Sequence, residues 1–214
     1  MFFRRNVLAA LRRRILEIAN MTKQSLWYTV KYLFERDEES CRNVLRIEEE
    51  SDRANLEVID TTIEHLDKHC VRGRELREFL MLMEISAIFE RICDLLEKIC
   101  KMKVMGGDIA DSIREKLIWM TKRVITMIEF SENAMKEEDV EELKANLERI
   151  DDEIDQLFES CKEEIIEHLK GGGDEHTYAN LLYVIGYLER IGDLAAKIGS
   201  RLIYIYEAKH VFIK

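Results

Sequence analysis

The sequence predicts an all-α protein of six helices folded as two tandem three-helix bundles. Three observations lead there. Proline is absent and only nine glycines occur in 214 residues, so little interrupts long helical runs. Two stretches step in apolar residues by three and four, the spacing of packed helical seams. Short segments recur in the same order in the two halves, as a duplicated helical triplet requires.

The repeat is read from its landmarks. Met21-Thr22-Lys23 returns 99 residues later as Met120-Thr121-Lys122. Ile47-Glu48-Glu49-Glu50-Ser51-Asp52 returns 103 residues later as Ile150-Asp151-Asp152-Glu153-Ile154-Asp155, and Ile63-Glu64-His65-Leu66 as Ile166-Glu167-His168-Leu169 at the same offset. Phe89-Glu90-Arg91-Ile92-Cys93-Asp94 returns at 99 as Leu188-Glu189-Arg190-Ile191-Gly192-Asp193. Small insertions in loops account for the change of offset. The first domain, residues 1–105, is expected to hold helices at 4–36, 38–70 and 74–104. The second, residues 106–214, is expected to hold helices at 108–136, 138–170 and 175–210.

Each element has a local reason. The first helix opens with Arg4, Arg5, Arg12, Arg13 and Arg14 among Phe2, Phe3, Val7, Leu8 and Leu11. That basic amphipathic stretch suits an anionic membrane surface or an acidic partner, although a solvated basic face is the plainer reading. Arg36-Asp37-Glu38, Arg72-Gly73-Arg74 and Glu137-Glu138-Asp139 mark breaks. Asp108 and Asp174 follow glycines and precede helical periodicity, as N-caps do. Gly171-Gly172-Gly173 reads as an interhelical loop. In the third helix, Leu82, Ile85, Phe89, Ile92, Leu96 and Ile99 form the a/d seam; in the sixth, Leu181, Val184, Leu188, Ile191, Ala195, Ile198, Leu202 and Ile205 do. The aromatic residues are expected to pack bundle seams.

Composition narrows function. A net charge of −10 disfavours a nucleic-acid binder, whose footprint would be a basic stripe. No run reaches the roughly 18 apolar residues of a membrane span, and Val7–Leu11 is too short for a signal-peptide core, so an intracellular protein is expected. Five scattered cysteines without a Cys-x-x-Cys read as reduced thiols. No nucleophile elbow, phosphate loop or dinucleotide fingerprint is present, and no enzymatic activity is expected.

The remaining signal is acidic. Glu90 with Asp94, and Glu189 with Asp193, lie one helical turn apart. The seam places Glu90 and Glu189 at b and Asp94 and Asp193 at f, facing outward. Glu48 with Asp52 and Asp151 with Asp155 repeat the spacing on the middle helices. Where middle and last helices are neighbours, two pairs converge on one surface, and oxygen-only donors suit hard cations such as iron(III), manganese, magnesium or calcium. Solvated or ion-paired acids are the plainer alternative. His65 and His69 have a zinc-chelating spacing without a third ligand, and helix-end histidines set against the dipole are the simpler account.

The run Tyr187-Leu188-Glu189-Arg190-Ile191-Gly192-Asp193-Leu194-Ala195-Ala196-Lys197-Ile198 resembles the signature of PhoU-type phosphate-uptake regulators. Phe89–Asp94 is similar to its first copy, and Asp151–Leu157 to the family's acidic motif on a middle helix. The resemblance covers nearly the whole chain and implies a PhoU-like pair of three-helix bundles of the spectrin-repeat kind. It implies a cytoplasmic regulator that represses phosphate-starvation signalling through a phosphate transporter and its sensor histidine kinase, membrane-associated through those partners. It implies multinuclear iron, or alternatively zinc, manganese or magnesium, held by Glu48, Asp52, Glu90 and Asp94 in the first half and by Asp151, Asp155, Glu189 and Asp193 in the second. A homodimer is compatible with it. The chain departs from the pattern at Cys93, where a glycine is expected, and in lacking proline before the third helix. A metal-storing bundle, or an accessory protein of a low-affinity phosphate permease, is the alternative reading. A carboxylate-bridged metalloenzyme is disfavoured because such centres bury Glu-x-x-His motifs within a four-helix core.

Overall fold

The structure is a computed structural model that describes residues 2–102 and 109–211, with side chains from residue 7 onward. Among the described residues there are six α-helices and no strand: α1 (Phe2–Glu35), α2 (Glu38–Lys68), α3 (Gly73–Lys101), α4 (Asp111–Glu137), α5 (Glu141–Lys170) and α6 (Glu175–Glu207). Helices α1, α2 and α3 pack together as one bundle, and α4, α5 and α6 as the other. The bundles meet back to back through α1 against α4 and α3 against α6. Arg12 pairs with Glu138 and Lys23 with Glu132, while Arg77 reaches the Ile205 carbonyl and Arg201 pairs with Glu84. Both cross-bundle contacts therefore run antiparallel.

This arrangement makes α3 and α6 the inner helices. Their seam residues are buried, and so are flanking positions such as Ser86, Cys93, Cys100, Ala196 and Ser200. Helices α2 and α5 touch only their own bundle, bury one narrow face each and leave the rest to solvent. Apolar burial of this kind contributes about 1.5–3 kcal/mol for each large side chain. Phe79 and Phe89 are the largest fully or almost fully buried ones. Threonines in the core of α1 satisfy themselves locally: the Thr22 and Thr29 hydroxyls donate to the carbonyls of Ile18 and Ser25, each at 2.9 Å.

Helix ends follow from caps. Asp37 accepts from the Glu39 amide at 3.3 Å and from the Ser40 hydroxyl at 2.7 Å, starting α2. Asp174 accepts from the Thr177 amide at 3.0 Å, starting α6 as expected. The expected cap Asp108 and the 105/106 domain boundary lie outside the described residues; α4 begins at Asp111, after Ala110, without a side-chain cap. Helix α2 stops at Lys68, α3 at Lys101 and α6 at Glu207, each two or three residues before the expected end. Ala208 turns into the left-handed region at φ 57° and closes α6 through its amide to the Tyr204 carbonyl. In the α5–α6 loop Gly172 has φ +84°, and a Cβ on Gly173 would come within 2.9 Å of both the His168 carbonyl and the Tyr178 ring.

The N-terminal arginines are partly consumed by the fold. Arg12 pairs with buried Glu78 on α3 and with Glu138 beyond α4, and Arg74 also holds Glu138 at 2.7 Å. Arg14 pairs with Glu17 and Glu57. Arg12, Arg13, Arg74 and Lys136 line an open cleft of about 1130 Å³ between α1, α3 and the end of α4. The side chains of Arg4 and Arg5 lie outside the described residues.

Candidate functional site

Two acidic grooves run along the α2/α3 and α5/α6 contacts. All eight acids singled out from the sequence lie in them, four to a groove. In the first groove, burial pushes Glu48 and Glu90 above the ordinary carboxylate range, helped for Glu48 by Asp52, Glu97 and Asp94, and for Glu90 by Asp52 and Asp94. In the second, burial together with Asp155, Asp193, Asp152 and Glu189 pushes Asp151 up to about 6. Burial likewise raises Asp155, Glu189 and Asp193; Asp193 adds to Glu189, and Asp155 adds to both. Carboxylates on facing helices thus feel one another, as convergence of the two pairs demands.

Asp193 is exposed as the heptad reading predicts, but Glu90, Asp94 and Glu189 are less exposed than it predicts. Asp52, Asp155 and Asp193 are exposed, Glu48, Glu90, Asp94 and Glu189 are half-buried, and Asp151 is only 5% exposed. The difference arises because α3 and α6 are covered on two sides, by their own middle helix and by the opposite bundle. The b positions consequently line a helix–helix groove, not an open face.

The grooves differ in compensation. Asp94 pairs with Lys98 at 2.7 Å in the first groove, and Glu97, one heptad beyond Glu90, pairs with Lys101 at 2.6 Å. Glu97 was not among the expected ligands, although its seven-residue spacing from Glu90 was the available signal. In the second groove the corresponding position is Ala196, and among the described residues Asp151, Asp155, Glu189 and Asp193 take part in no ion pair. Arg190 lowers Glu189 and Asp193 electrostatically without forming a described pair. Among the described residues, no three acidic, His or Cys side chains close around a single point, so each quartet is an open groove lined by oxygen donors.

Glycine sets the width of the second groove. A Cβ on Gly192 would meet Ile154 at 3.1 and 3.2 Å, and one on Gly199 would meet Leu147 at 2.9 and 3.0 Å. Helix α5 therefore lies close to α6 just where Asp151 and Asp155 face Glu189 and Asp193. In the first bundle the equivalent positions are Cys93 and Cys100, and the facing residues are smaller: Ser51 replaces Ile154 and Val44 replaces Leu147. Volume has moved from α2 to α3, so the departure at Cys93 is matched by a complementary change across the contact. Cys93 is fully buried, with Thr22 Oγ1 3.5 Å from its Sγ.

The histidine pair is packing. His65 stacks on Phe79 with centroids 4.7 Å apart, and His69 lies 4.6 Å from His65. His168 meets Tyr178 edge-on at 4.9 Å. His168 and Tyr178 are the repeat counterparts of His65 and Phe79, so a helix-end histidine against the next helix's aromatic ring is part of the duplicated architecture.

Known proteins share this architecture. The family model described as "PhoU domain" matches twice, at residues 15–102 and 117–202. A protein of Archaeoglobus fulgidus named "Phosphate-specific transport system accessory protein PhoU homolog" is 26% identical over 185 residues, covering 83% of this chain and 82% of its own length. A protein of the same name from Clostridium acetobutylicum is 23% identical over 207 residues, covering 95% and 94%. The crystal structure of the phosphate transport system regulatory protein PhoU from Streptococcus pneumoniae superposes with a TM-score of 0.85 at 21% identity, over 96% of this chain and 97% of its own. That of PhoU from Pseudomonas aeruginosa superposes at 0.88 and 17%, over 96% and 99%. At these identities the two structures show the fold: six helices as two PhoU-like bundles.

Proposed function

Because this chain belongs to the PhoU family, with two PhoU domains spanning most of its length, we propose that it is an accessory regulator of phosphate uptake and phosphate-starvation signalling. It acts by docking to a phosphate transporter, its sensor histidine kinase, or both. The observation that carries the reading is the double domain match, at residues 15–102 and 117–202. The names of the relatives, which place them with phosphate-specific transport, support the same reading.

We further propose that the two carboxylate grooves hold hard metal ions. The residues fit such a group. Every donor is a carboxylate oxygen, and the acids of the second groove repel one another, with Arg190 as a partial electrostatic offset but no ion pair to any of the four among the described residues. Asp151 is held in that field at 5% exposure. A bound cation would neutralise this charge and tie each middle helix to its inner helix, fixing the shape of the surface offered to a partner. In the first groove Lys98 must release Asp94 for all four carboxylates to face an ion.

The regulatory reading is tested by co-purification from cells grown in high and in low phosphate, with crosslinking to retain weak complexes. Recovery of a phosphate-transporter subunit or a sensor kinase in either condition supports it. Recovery of neither contradicts it, and leaves metal storage to be judged by metal content alone.

A further inference from the structure

We propose that Cys41 and Cys100 form a reversible disulfide that staples the start of α2 to the end of α3 when a peroxide is present. Cys41 lies in the first turn of α2 and Cys100 in the last turn of α3. The Cys41 Sγ is 3.9 Å from the Cys100 carbonyl oxygen, which sets the two cysteines side by side across the α2–α3 contact. The Cys100 Sγ itself lies 4.0 Å from the Thr29 hydroxyl of α1, so the staple exchanges that weak contact for a bond to Cys41. Cys41 is half-buried and can be reached by a small oxidant, whereas Cys100 is 3% exposed and is reached only by its neighbour. The reaction divides accordingly. Cys41, as thiolate, attacks one peroxide oxygen; the O–O bond breaks, Cys41 becomes a sulfenic acid and the peroxide is reduced to water or an alcohol. The Cys100 sulfur then attacks the Cys41 sulfur, hydroxide leaves with the Cys100 proton as water, and the S–S bond forms. A thiol reductant reverses it.

The site belongs to the first bundle alone. Gly199 occupies the position equivalent to Cys100, and Lys144 that equivalent to Cys41, so the second bundle has no counterpart. Burial keeps both thiols protonated at neutral pH, with Cys100 pushed up to about 12. The reaction is consequently slow near neutrality and accelerates with rising pH, as befits a response to sustained oxidant. The staple lies two turns from Glu48 on α2 and nearly two from Asp94 on α3, so it pins the helix separation on which the first acidic groove depends. It does not rest on the metal or regulatory readings.

The test uses the full chain carrying Cys70→Ser, which removes the exposed thiol and with it disulfides between molecules. The protein is treated with hydrogen peroxide while folded, then denatured, alkylated and mapped by mass spectrometry without reduction. The expected result is a loss of two alkylatable thiols and a single crosslinked peptide pair joining Cys41 to Cys100, restored by dithiothreitol. Cys41→Ser and Cys100→Ser should each abolish the crosslink; if Cys100→Ser does not fold, Cys41→Ser alone decides. Retention of all four thiols, a crosslink involving Cys93 or Cys161, or Cys41 oxidised beyond sulfenate without a crosslink would overturn the proposal.

Discussion

Asp151 offers a measurement in which stability and function should pull in opposite directions. It is nearly buried, and its neighbours Asp155, Asp193, Asp152 and Glu189 oppose its ionisation. Its folded-state pKa is raised from 3.8 to about 6. A raised carboxylate binds its proton more tightly in the native state than in the unfolded one. The stabilisation from protonation is thus complete below the unfolded pKa and lost as pH rises through about 6. At about 1.36 kcal/mol per pKa unit the full shift corresponds to roughly 3 kcal/mol. Screening at the groove mouth reduces this to about 1–2 kcal/mol. Asp151→Asn removes the charge, and its amide can donate to the neighbouring carboxylates. In chelator at pH 7 the variant should therefore be more stable by about 1–2 kcal/mol, or roughly 2–8 °C in Tm for a chain of this size. At pH 4, where the native wild-type group is already protonated, the gain should nearly vanish. With saturating manganese(II) the order should reverse, because ligand at about 100 Kd adds about 2.7 kcal/mol to the protein that binds it. Thermal denaturation across pH, with and without the ion, reads all of this. A variant less stable than wild type in chelator at pH 7 would refute the assignment of a repulsive, cation-ready groove.

Further outcomes follow from packing and pairing. Gly199→Ala should destabilise by about 0.5–2 kcal/mol, since the clash with Leu147 outweighs the gain in helix propensity; adding Leu147→Val, the residue type of the first bundle, should recover most of the loss in a double-mutant cycle by denaturant titration. Arg12→Met should cost about 3 kcal/mol or more because Glu78, 4% exposed, loses its partner, while Arg12→Met with Glu78→Gln should cost less. Lys98→Met should free Asp94 and raise cation affinity in the first groove alone, measured by calorimetric titration of a protein whose second groove carries Glu189→Ala and Asp193→Ala; unchanged affinity would count against Asp94 as a ligand.

Much of this was legible in the sequence. Seam residues from Leu82 to Ile99 and from Leu181 to Ile205 are buried as their three-and-four spacing requires, and Asp174 caps α6. The pairing of acids across helices followed from the repeat, since equivalent segments must fold alike. What the sequence hid is what lies between the helices. Heptad assignment treats one seam at a time, so it could not show that each middle helix lies over the b positions of its inner helix and that this contact draws Glu90, Glu189 and above all Asp151 out of solvent. The exchange of Gly192 with Ile154 for Cys93 with Ser51 was hidden for a similar reason: each residue looks like an isolated departure until its partner is known. Helix ends slipped by two or three residues because caps such as Ala208 carry no strong residue preference.

Whether the grooves take cations is tested most directly by titrating chelator-stripped protein with manganese(II) and following free ion by electron paramagnetic resonance. Binding by the wild-type chain, and loss of the second groove's share alone in Glu189→Ala with Asp193→Ala, is the expected result. A wild-type chain that leaves all the manganese free, or a variant that binds as much as wild type, would contradict it.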